Sequence, residues 1–525
     1  MTRRTTGFTR RDAIARFGVA LAATTFPSRL LHAAENLRFR EDPFTLGVAS
    51  GYPGPDTVVL WTRIAPSPLQ PGGGVPHDAV IPVTWEIAAA ERMRDVVRRG
   101  VDYATPQWAH SIHAEPAGLK PDRPYWYRFT AGGRQSPIGR TRTAPRRDAA
   151  NARMRIAVAS CQQYEHGYFL GYRHMLEDEL DLILHVGDYI YETSWGQQRI
   201  RHHNAPEAIT LDDYRARYAL YRGERELQAA HACCPWLVTW DDHEVENDYA
   251  GATSEEDDPR DWFLARRAAA YQAYYEHMPL PRSALPYGPE LRLFAQRSFG
   301  QLANVFMLDT RQYRAPLACT EPGRRTSRSA NCDELRDPAR SKLGRVQEGW
   351  LTSRMPSSRA RWNLFASGTV MAYVDEQPGP GELFWNDGWN GYPISRARFM
   401  DAIAETGIVN PIVLTGDIHS FLAANHHRVP HDLDSAVVAT EFVTTSISAQ
   451  GIPQSTLDER RANNPNLLFA NSERRGYLRL DLTGQRLQAD LIALESVTDR
   501  NAGRFVQASF MVENGRPAAV LGSDS

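Results

Sequence analysis

Five short apolar runs in this chain each break off at a residue able to hold a metal ion, and no other feature restricts the fold as much. RIAVAS runs into Cys161, DLILHVG into Asp188, LVTW into Asp241-Asp242-His243-Glu244, VFML into Asp309 and IVLTG into Asp417-Ile418-His419. Short runs that are apolar throughout are typical of strands buried on both faces. Amphipathic helical stretches stand between them, among them FLGYRHMLEDE, LDDYRARYALYRGERELQAA and DWFLARRAAAYQAYYEH. Strands alternating with helices predict an α/β layered domain that binds its ligand beyond the carboxyl ends of the strands. One Asp after a strand is an ordinary turn or cap. Five such deliveries point to a site.

The first part of the chain has a different texture. From Phe44 to about Arg142 it reads as short strands broken by Pro and Gly, such as DTVVLWTRI, VIPVTWEI, HSIHAEP and PYWYRFTAG. Tyr125, Tyr127 and Phe129 recur with a period of two, which puts three aromatics on one face. Leu119-x-Pro121 followed by Tyr125 resembles the tyrosine-corner segment of fibronectin type III and immunoglobulin-like domains. A small all-β, immunoglobulin/fibronectin-like sandwich is therefore expected over 37–145, with APRRDAANAR (144–153) as linker and the α/β layered domain over 146–525. At roughly 150 residues per domain, a chain of 525 residues has room for both.

Residues 1–36 read as a leader. Arg3, Arg4, Arg10 and Arg11 precede an apolar stretch from Phe17 to Phe26 that is too short to span a bilayer, and Ala33-Ala34 offers a cleavage site. Thr9-Arg10-Arg11-Asp12-Ala13-Ile14 resembles a twin-arginine export signal, with Ala13 where a large apolar residue is usual. The expectation is export by the twin-arginine machinery and a periplasmic or secreted protein, with no transmembrane segment. With 60 basic against 62 acidic residues, the net charge of -2 provides no basic field for a nucleic-acid backbone. Of five cysteines, Cys319 and Cys332 flank an Arg- and Ser-rich loop that a disulfide could close. Cys233 and Cys234 read as small buried residues, and Cys161 stands at a strand end.

The polar groups at the strand ends suit metals of two kinds. Asp188 and Tyr191, spaced i, i+3, can reach one ion just beyond a strand. Cys161 and His419 add a thiolate and an imidazole, which suit iron or zinc better than magnesium. Carboxylates alone suit calcium, magnesium or manganese. The pattern thus places one metal near Cys161, Tyr191 and His419, another near Asp242 and Asp417, and Asp188 between them. Two adjacent metals clamp an oxyanion, which suits phosphate ester hydrolysis. Asp309 is read as the group that fixes Arg311. The loop LFWNDGWNGYP is left without a role, and His202-His203 and His426-His427 are read as solvated.

Gly187-Asp188-Tyr189-Ile190-Tyr191, Trp240-Asp241-Asp242-His243-Glu244 and Gly416-Asp417-Ile418-His419 resemble the ordered blocks of calcineurin-like metallophosphoesterases. Tyr191, three residues after the bridging Asp188, resembles the iron-ligating Tyr of purple acid phosphatases. Together with Ala159-Ser160-Cys161-Gln162, Leu308-Asp309-Thr310-Arg311-Gln312-Tyr313 and Asp387-Gly388-Trp389-Asn390-Gly391-Tyr392-Pro393, the set is similar to the PhoD-type alkaline phosphatase family over nearly the whole chain.

The resemblance implies a two-sheet metallophosphoesterase core, phosphate ester substrates, one ferric ion with one or two calcium ions, and a hydroxide activated by both metals that attacks phosphorus. It implies iron on Cys161, Asp188 and Tyr191 with His419 as a further partner, and calcium facing Asp188, Asp242 and Asp417. His243 matches the His that meets the leaving oxygen, and Arg311 is placed to pair with phosphate oxygens. Family members can carry a C-terminal helical lid, but the tail here, RFVQASFMVENGRPAAV, reads as strand. The competing readings are a phospholipase D-like phosphodiesterase and a non-catalytic exported binding protein.

Overall fold

The computed structural model describes residues 38–320, 328–330, 332–430 and 432–522. The leader read over 1–36, and residues 323–327 of the Arg- and Ser-rich loop, lie outside the described residues. Strands Arg153–Ala159, Leu182–Val186 and Trp236–Thr239 run parallel within a ten-stranded sheet. Ala303–Met307, Trp362–Ala366, Pro411–Thr415 and Val437–Val443 run parallel within a seven-stranded one. Most of these strands are buried from end to end, which is why their sequences read as unbroken apolar runs. One hydrophobic cluster draws on both sheets, taking Ile156, Val158 and Leu184 from the larger and Val305, Leu364 and Leu414 from the smaller.

Helices follow from local signals. Leu211–Arg222 starts at a capping box, in which the Thr210 hydroxyl accepts from the Asp213 N–H and the Asp213 carboxylate accepts from the Thr210 N–H at 2.8 Å. It packs against the long helix Arg260–His277. The C-terminal tail forms strands Arg504–Glu513 and Ala519–Leu521 at one edge of the ten-stranded sheet, as its pattern predicts.

Five N-terminal strands, including Ile81–Ala88, Val96–Ala104 and Pro124–Ala131, make a separate sheet. The period of two holds: Tyr125, Tyr127 and Phe129 are buried and pack with Val48, Leu60 and Ile112. The Tyr125 hydroxyl accepts from the Lys120 N–H at 2.8 Å, a bond that fixes the chain's entry into that strand. The strands that this sheet covers, Val48–Gly51, Val59–Arg63 and Ser111–Ala114, continue the ten-stranded sheet through the pairing of Gly51 with Trp236. The N-terminal part therefore shares a sheet with the rest of the chain. Trp61 strengthens the junction, donating from Nε1 to the Glu276 carbonyl at 3.0 Å beneath the Arg222 guanidinium, which lies 4.1 Å from its ring.

Cys319 and Cys332 are joined as a disulfide, and Cys161, Cys233 and Cys234 are free. Two histidines depart from the solvated reading. His203 is buried, with Nε2 3.0 Å from the Tyr221 hydroxyl. His426 is buried 3.2 Å from Glu441, because side chains alternate along Phe421–His427 and only His427 turns outward.

His113 gives the junction a pH dependence. Its ring is buried and stacked on Tyr275 at 4.2 Å, Nδ1 donates to the Leu280 carbonyl at 2.8 Å, and Nε2 has no hydrogen-bond partner among the described residues. Burial first, and then the Arg282 charge, push its pKa down to about 4. Because the folded value lies below the unfolded one, this contribution is complete above pH ~6.5 and is lost as pH falls through about 4, up to ~3 kcal/mol in all. Urea midpoints measured from pH 7 to 4.5 should fall in the parent protein and fall less in His113→Phe.

Candidate metal centre

Each sequence-predicted residue stands where its strand runs out. Cys161 follows Arg153–Ala159, Asp188 follows Leu182–Val186, Asp242 and His243 follow Trp236–Thr239, and Asp417 and His419 follow Pro411–Thr415. The backbone turns sharply there. Cys161, Asp188, Asp417 and His419 all adopt left-handed conformations, with φ of 56°, 57°, 72° and 53°. Each such residue costs about 1–3 kcal/mol, and clusters of them mark functional sites. Close packing of the turns enforces the conformation. A Cβ on Gly187 would lie 2.6 Å from the Asp241 backbone nitrogen, and one on Gly416 would lie 2.5 Å from Ser160 Oγ.

The turns bring the donors together. Ligand atoms of Cys161, Asp188 and His419 lie within 4.8 Å of one another, and so do those of Asp188, Asp242 and His243. Asp188 belongs to both groups. The Tyr191 hydroxyl donates to Asp188 Oδ2 at 2.9 Å and lies 3.0 Å from His419 Nε2. His419 Nδ1 donates to the Gln450 carbonyl at 2.7 Å, which leaves Nε2 with its lone pair facing the cluster. Burial, reinforced by the Arg475 charge, holds His419 down to about 3, so the ring is neutral as a ligand must be.

The donor set fits a cation. Asp188 Oδ1 and Asp417 Oδ2 are buried and lack hydrogen-bond partners among the described residues. Burial pushes both carboxyls well above the usual range; for Asp188 the Asp242 charge adds to this against His243, and for Asp417 the Asp241 charge adds to it against Arg311. Burial and the Asp188 charge likewise raise the Cys161 thiol and the Tyr191 phenol. Groups so crowded ionise only against positive charge.

The neighbouring acidic residues sort by what they touch. Glu244 accepts from the backbone N–H groups of Asp188, Tyr189 and Asp241 at 3.1, 2.7 and 2.8 Å, so it shapes the turns. Asp242 Oδ2 accepts from the Asp248 N–H at 2.7 Å, and Asn247 bonds to Glu255. Asp309 accepts from the Arg311 and Gln312 N–H groups, each at 3.0 Å, and so fixes the Arg311 backbone.

Arg311 departs from the phosphate-pairing role expected of it. Its side chain is fully buried, forked onto Asp241 and bonded through Nη1 to Asp387 at 2.7 Å. Its Nη2 lies 3.5 Å from Asp242 and 3.9 Å from Asp417. It acts as the shared counter-charge of four carboxylates. Glu192 and Asp387 are the partners that sequence reasoning left out. Glu192 holds His243 Nδ1 at 2.7 Å and stands one helical turn's spacing after Asp188, a signal the sequence did carry. Asp387, in the loop left without a role, also binds Arg314 at 2.7 Å.

Comparison with known proteins bears on this geometry. The model of the PhoD-like phosphatase family matches residues 156–491, and that of the PhoD-like phosphatase N-terminal domain matches 31–145. Alkaline phosphatase D of Bacillus subtilis (strain 168) is 44% identical over 491 residues, covering 92% of this chain and 82% of that protein. A solved structure of PhoD superposes with a TM-score of 0.88 at 42% identity, covering 93% of this chain and 94% of the other.

Arg311→Met strands Asp241 in the interior without its partner, while Asp387 keeps Arg314. Losing one member of a buried ion pair costs about 3–5 kcal/mol, and the urea midpoint should drop accordingly. Arg311→Lys should recover only part of the loss, since an ammonium cannot reproduce the two-pronged contact with Asp241.

Proposed function

Because this chain belongs to the PhoD-like phosphatase family and is a phosphoester hydrolase of the alkaline phosphatase type, we propose that its strand-end cluster is the catalytic centre and that iron and calcium serve it. The meeting of Cys161, Asp188, Tyr191 and His419 carries the reading. Thiol, phenol and neutral imidazole are donors for a ferric ion. Asp188, Asp242 and Asp417 offer the oxygens that one or two calcium ions take. When bound, the cations supply Lewis acidity toward the phosphoryl oxygens and lower the pKa of water.

The chain's own residues do the rest. Asp188 serves both donor groups and fixes their spacing. His243 has one ring nitrogen on Glu192 and lies in the same group as Asp188 and Asp242. Burial opposes its charge, but Glu192, Asp242 and Asp188 outweigh it and hold the ring protonated well above its ordinary value. Held at Nδ1 by Glu192, the His243 ring is placed to hand a proton to the departing alcohol oxygen. Arg311 keeps Asp242 and Asp417 at their distances and leaves the phosphate to other groups.

The two family models adjoin between 145 and 156, which supports a boundary between 37–145 and 146–525; the five-stranded N-terminal sheet and the Tyr125 bond support an immunoglobulin/fibronectin-like reading of the first part, and the two large sheets a metallophosphoesterase reading of the second. The paired Arg10 and Arg11 support export by the twin-arginine route to a periplasmic or secreted location.

Protein purified from an exporting host should carry iron and absorb visible light through its phenolate and thiolate ligands. Tyr191→Phe should shift or abolish that band, and Asp188→Ala should lower phosphatase activity on the order of a thousandfold or more. Colourless, iron-free and fully active protein overturns the iron assignment. Replacing Arg10 and Arg11 together by Lys should leave the protein in the cytoplasm, as cell fractionation would show.

A further inference from the structure

Asp417 and His419 face two ways. His419 belongs to the donor group of Cys161 and Asp188, Asp417 lies 3.9 Å from Arg311, and both line a cavity of about 320 Å³, a volume in the range of small-molecule sites. The rest of its wall is mainly hydrocarbon and aromatic, with Val370, Val374, Trp385, Ile418, Leu422 and Leu457 among its residues. These six belong to, or pack against, one hydrophobic cluster, so the wall is built into the core and is preformed. Trp195 adds an aromatic plate, stacked on His419 at 5.5 Å and 10°.

The polar part of the lining is largely engaged. Arg328 and Arg460 reach the cavity, but both are bonded to Glu376, at 2.6 and 2.8 Å. Glu376 braces both guanidinium groups, and that part of the wall keeps a net charge of +1.

We propose that this cavity receives the alcohol portion of the phosphoester, and that the preferred substrates are phosphate esters of apolar, hydrocarbon-bearing alcohols. The inference rests on the assignment of Asp417 and His419 to the catalytic centre. The ester oxygen is one bond from phosphorus, so the first carbons of the alcohol lie close to Asp417 and His419, the residues assigned to the cations that would hold the phosphate. The cavity begins at those residues. A polyol placed there would set its hydroxyls against Val, Ile, Leu and Trp side chains and lose their hydration without replacement. An alkyl chain loses only water contact. Binding energy gained by this remote part of the substrate raises kcat/KM.

The test uses the metal-loaded holoenzyme and n-alkyl monophosphates from methyl to hexyl, with glycerol phosphate as the polar comparator. kcat/KM should climb about three- to fourfold per methylene until the cavity fills, and glycerol phosphate should stay near methyl phosphate. Val374→Trp, which fills the cavity at a residue outside the metal cluster, should flatten the series. Calorimetry with the non-hydrolysable n-alkylphosphonates gives a second readout, in which hexylphosphonate should bind tighter than methylphosphonate with a more negative heat-capacity change. Equal kcat/KM across the alkyl series, or phosphonate affinities independent of chain length, overturns the proposal. If no phosphoester is cleaved, the assignment of the catalytic centre fails, and the phosphonate affinities still decide the cavity.

Discussion

Buried negative charge around Asp188 sets the terms for the rest of the structure. Asp188, Asp241, Asp242, Glu244, Asp387 and Asp417 are all nearly or wholly removed from water, apart from the partial exposure of the Asp417 residue, and a buried thiol and phenol stand beside them. Carboxylates in such a place either take up protons or find positive charge. Arg311 supplies one unit, Arg314 supplies one at Asp387, backbone N–H groups directed at Glu244 supply partial charge, and His243 supplies another unit where Glu192 stabilises it. The remaining demand falls on Asp188 and Asp417, whose outer oxygens have no hydrogen-bond partners among the described residues. Those are the two carboxylates that a divalent or trivalent cation reaches at least cost.

That charge is held in place by backbone that no chain adopts without reason. Four left-handed residues at one site represent roughly 4–12 kcal/mol of local strain, a large share of the margin by which a domain is stable. The offset comes from bonds between the turns. Cys161 N–H donates to the Gly187 carbonyl, Gln162 N–H to the Asp188 carbonyl, and Gly416 N–H to the Gly368 carbonyl. These bonds act within each sheet, and the Ile447 and Ala449 N–H groups, beyond the seven-stranded sheet, tie the two sheets together by donating to the Ser160 and Cys161 carbonyls at 2.9 and 3.2 Å. This explains why the ligands are spread over so much of the sequence.

The strand ends were legible in the sequence because parallel strands buried on both faces leave continuous apolar runs, and the first polar residue after each run is conspicuous. Pro124–Ala131 was legible for the opposite reason, since one covered face leaves a strict alternation. What stayed hidden depends on long-range pairing. Arg311 looked like a phosphate ligand because nothing local shows that Asp241, 70 residues before it, and Asp387, 76 residues after it, consume its donors. Glu244 could not be told from a ligand beside Asp241 and Asp242, because its binding to backbone N–H groups depends on how close the neighbouring turn lies. The continuation of the N-terminal strands into the larger sheet rests on the pairing of Gly51 with Trp236, which leaves no mark in composition or period.

The turn from Asp417 to His419 ties chemistry to selectivity. Asp417 and His419 both take left-handed conformations, and the Ile418 N–H between them bonds to the Gly416 carbonyl at 2.9 Å. This geometry directs a carboxylate and an imidazole toward the cluster while Ile418 lines the cavity. A substitution that enlarges or shrinks the Ile418 side chain acts on the same turn that sets Asp417 and His419, so it cannot retune the cavity alone. Residues that line the cavity from other elements, such as Val374 and Leu457, do not share that constraint. Changes in substrate preference within this architecture should therefore concentrate on the far elements and spare the strained turn.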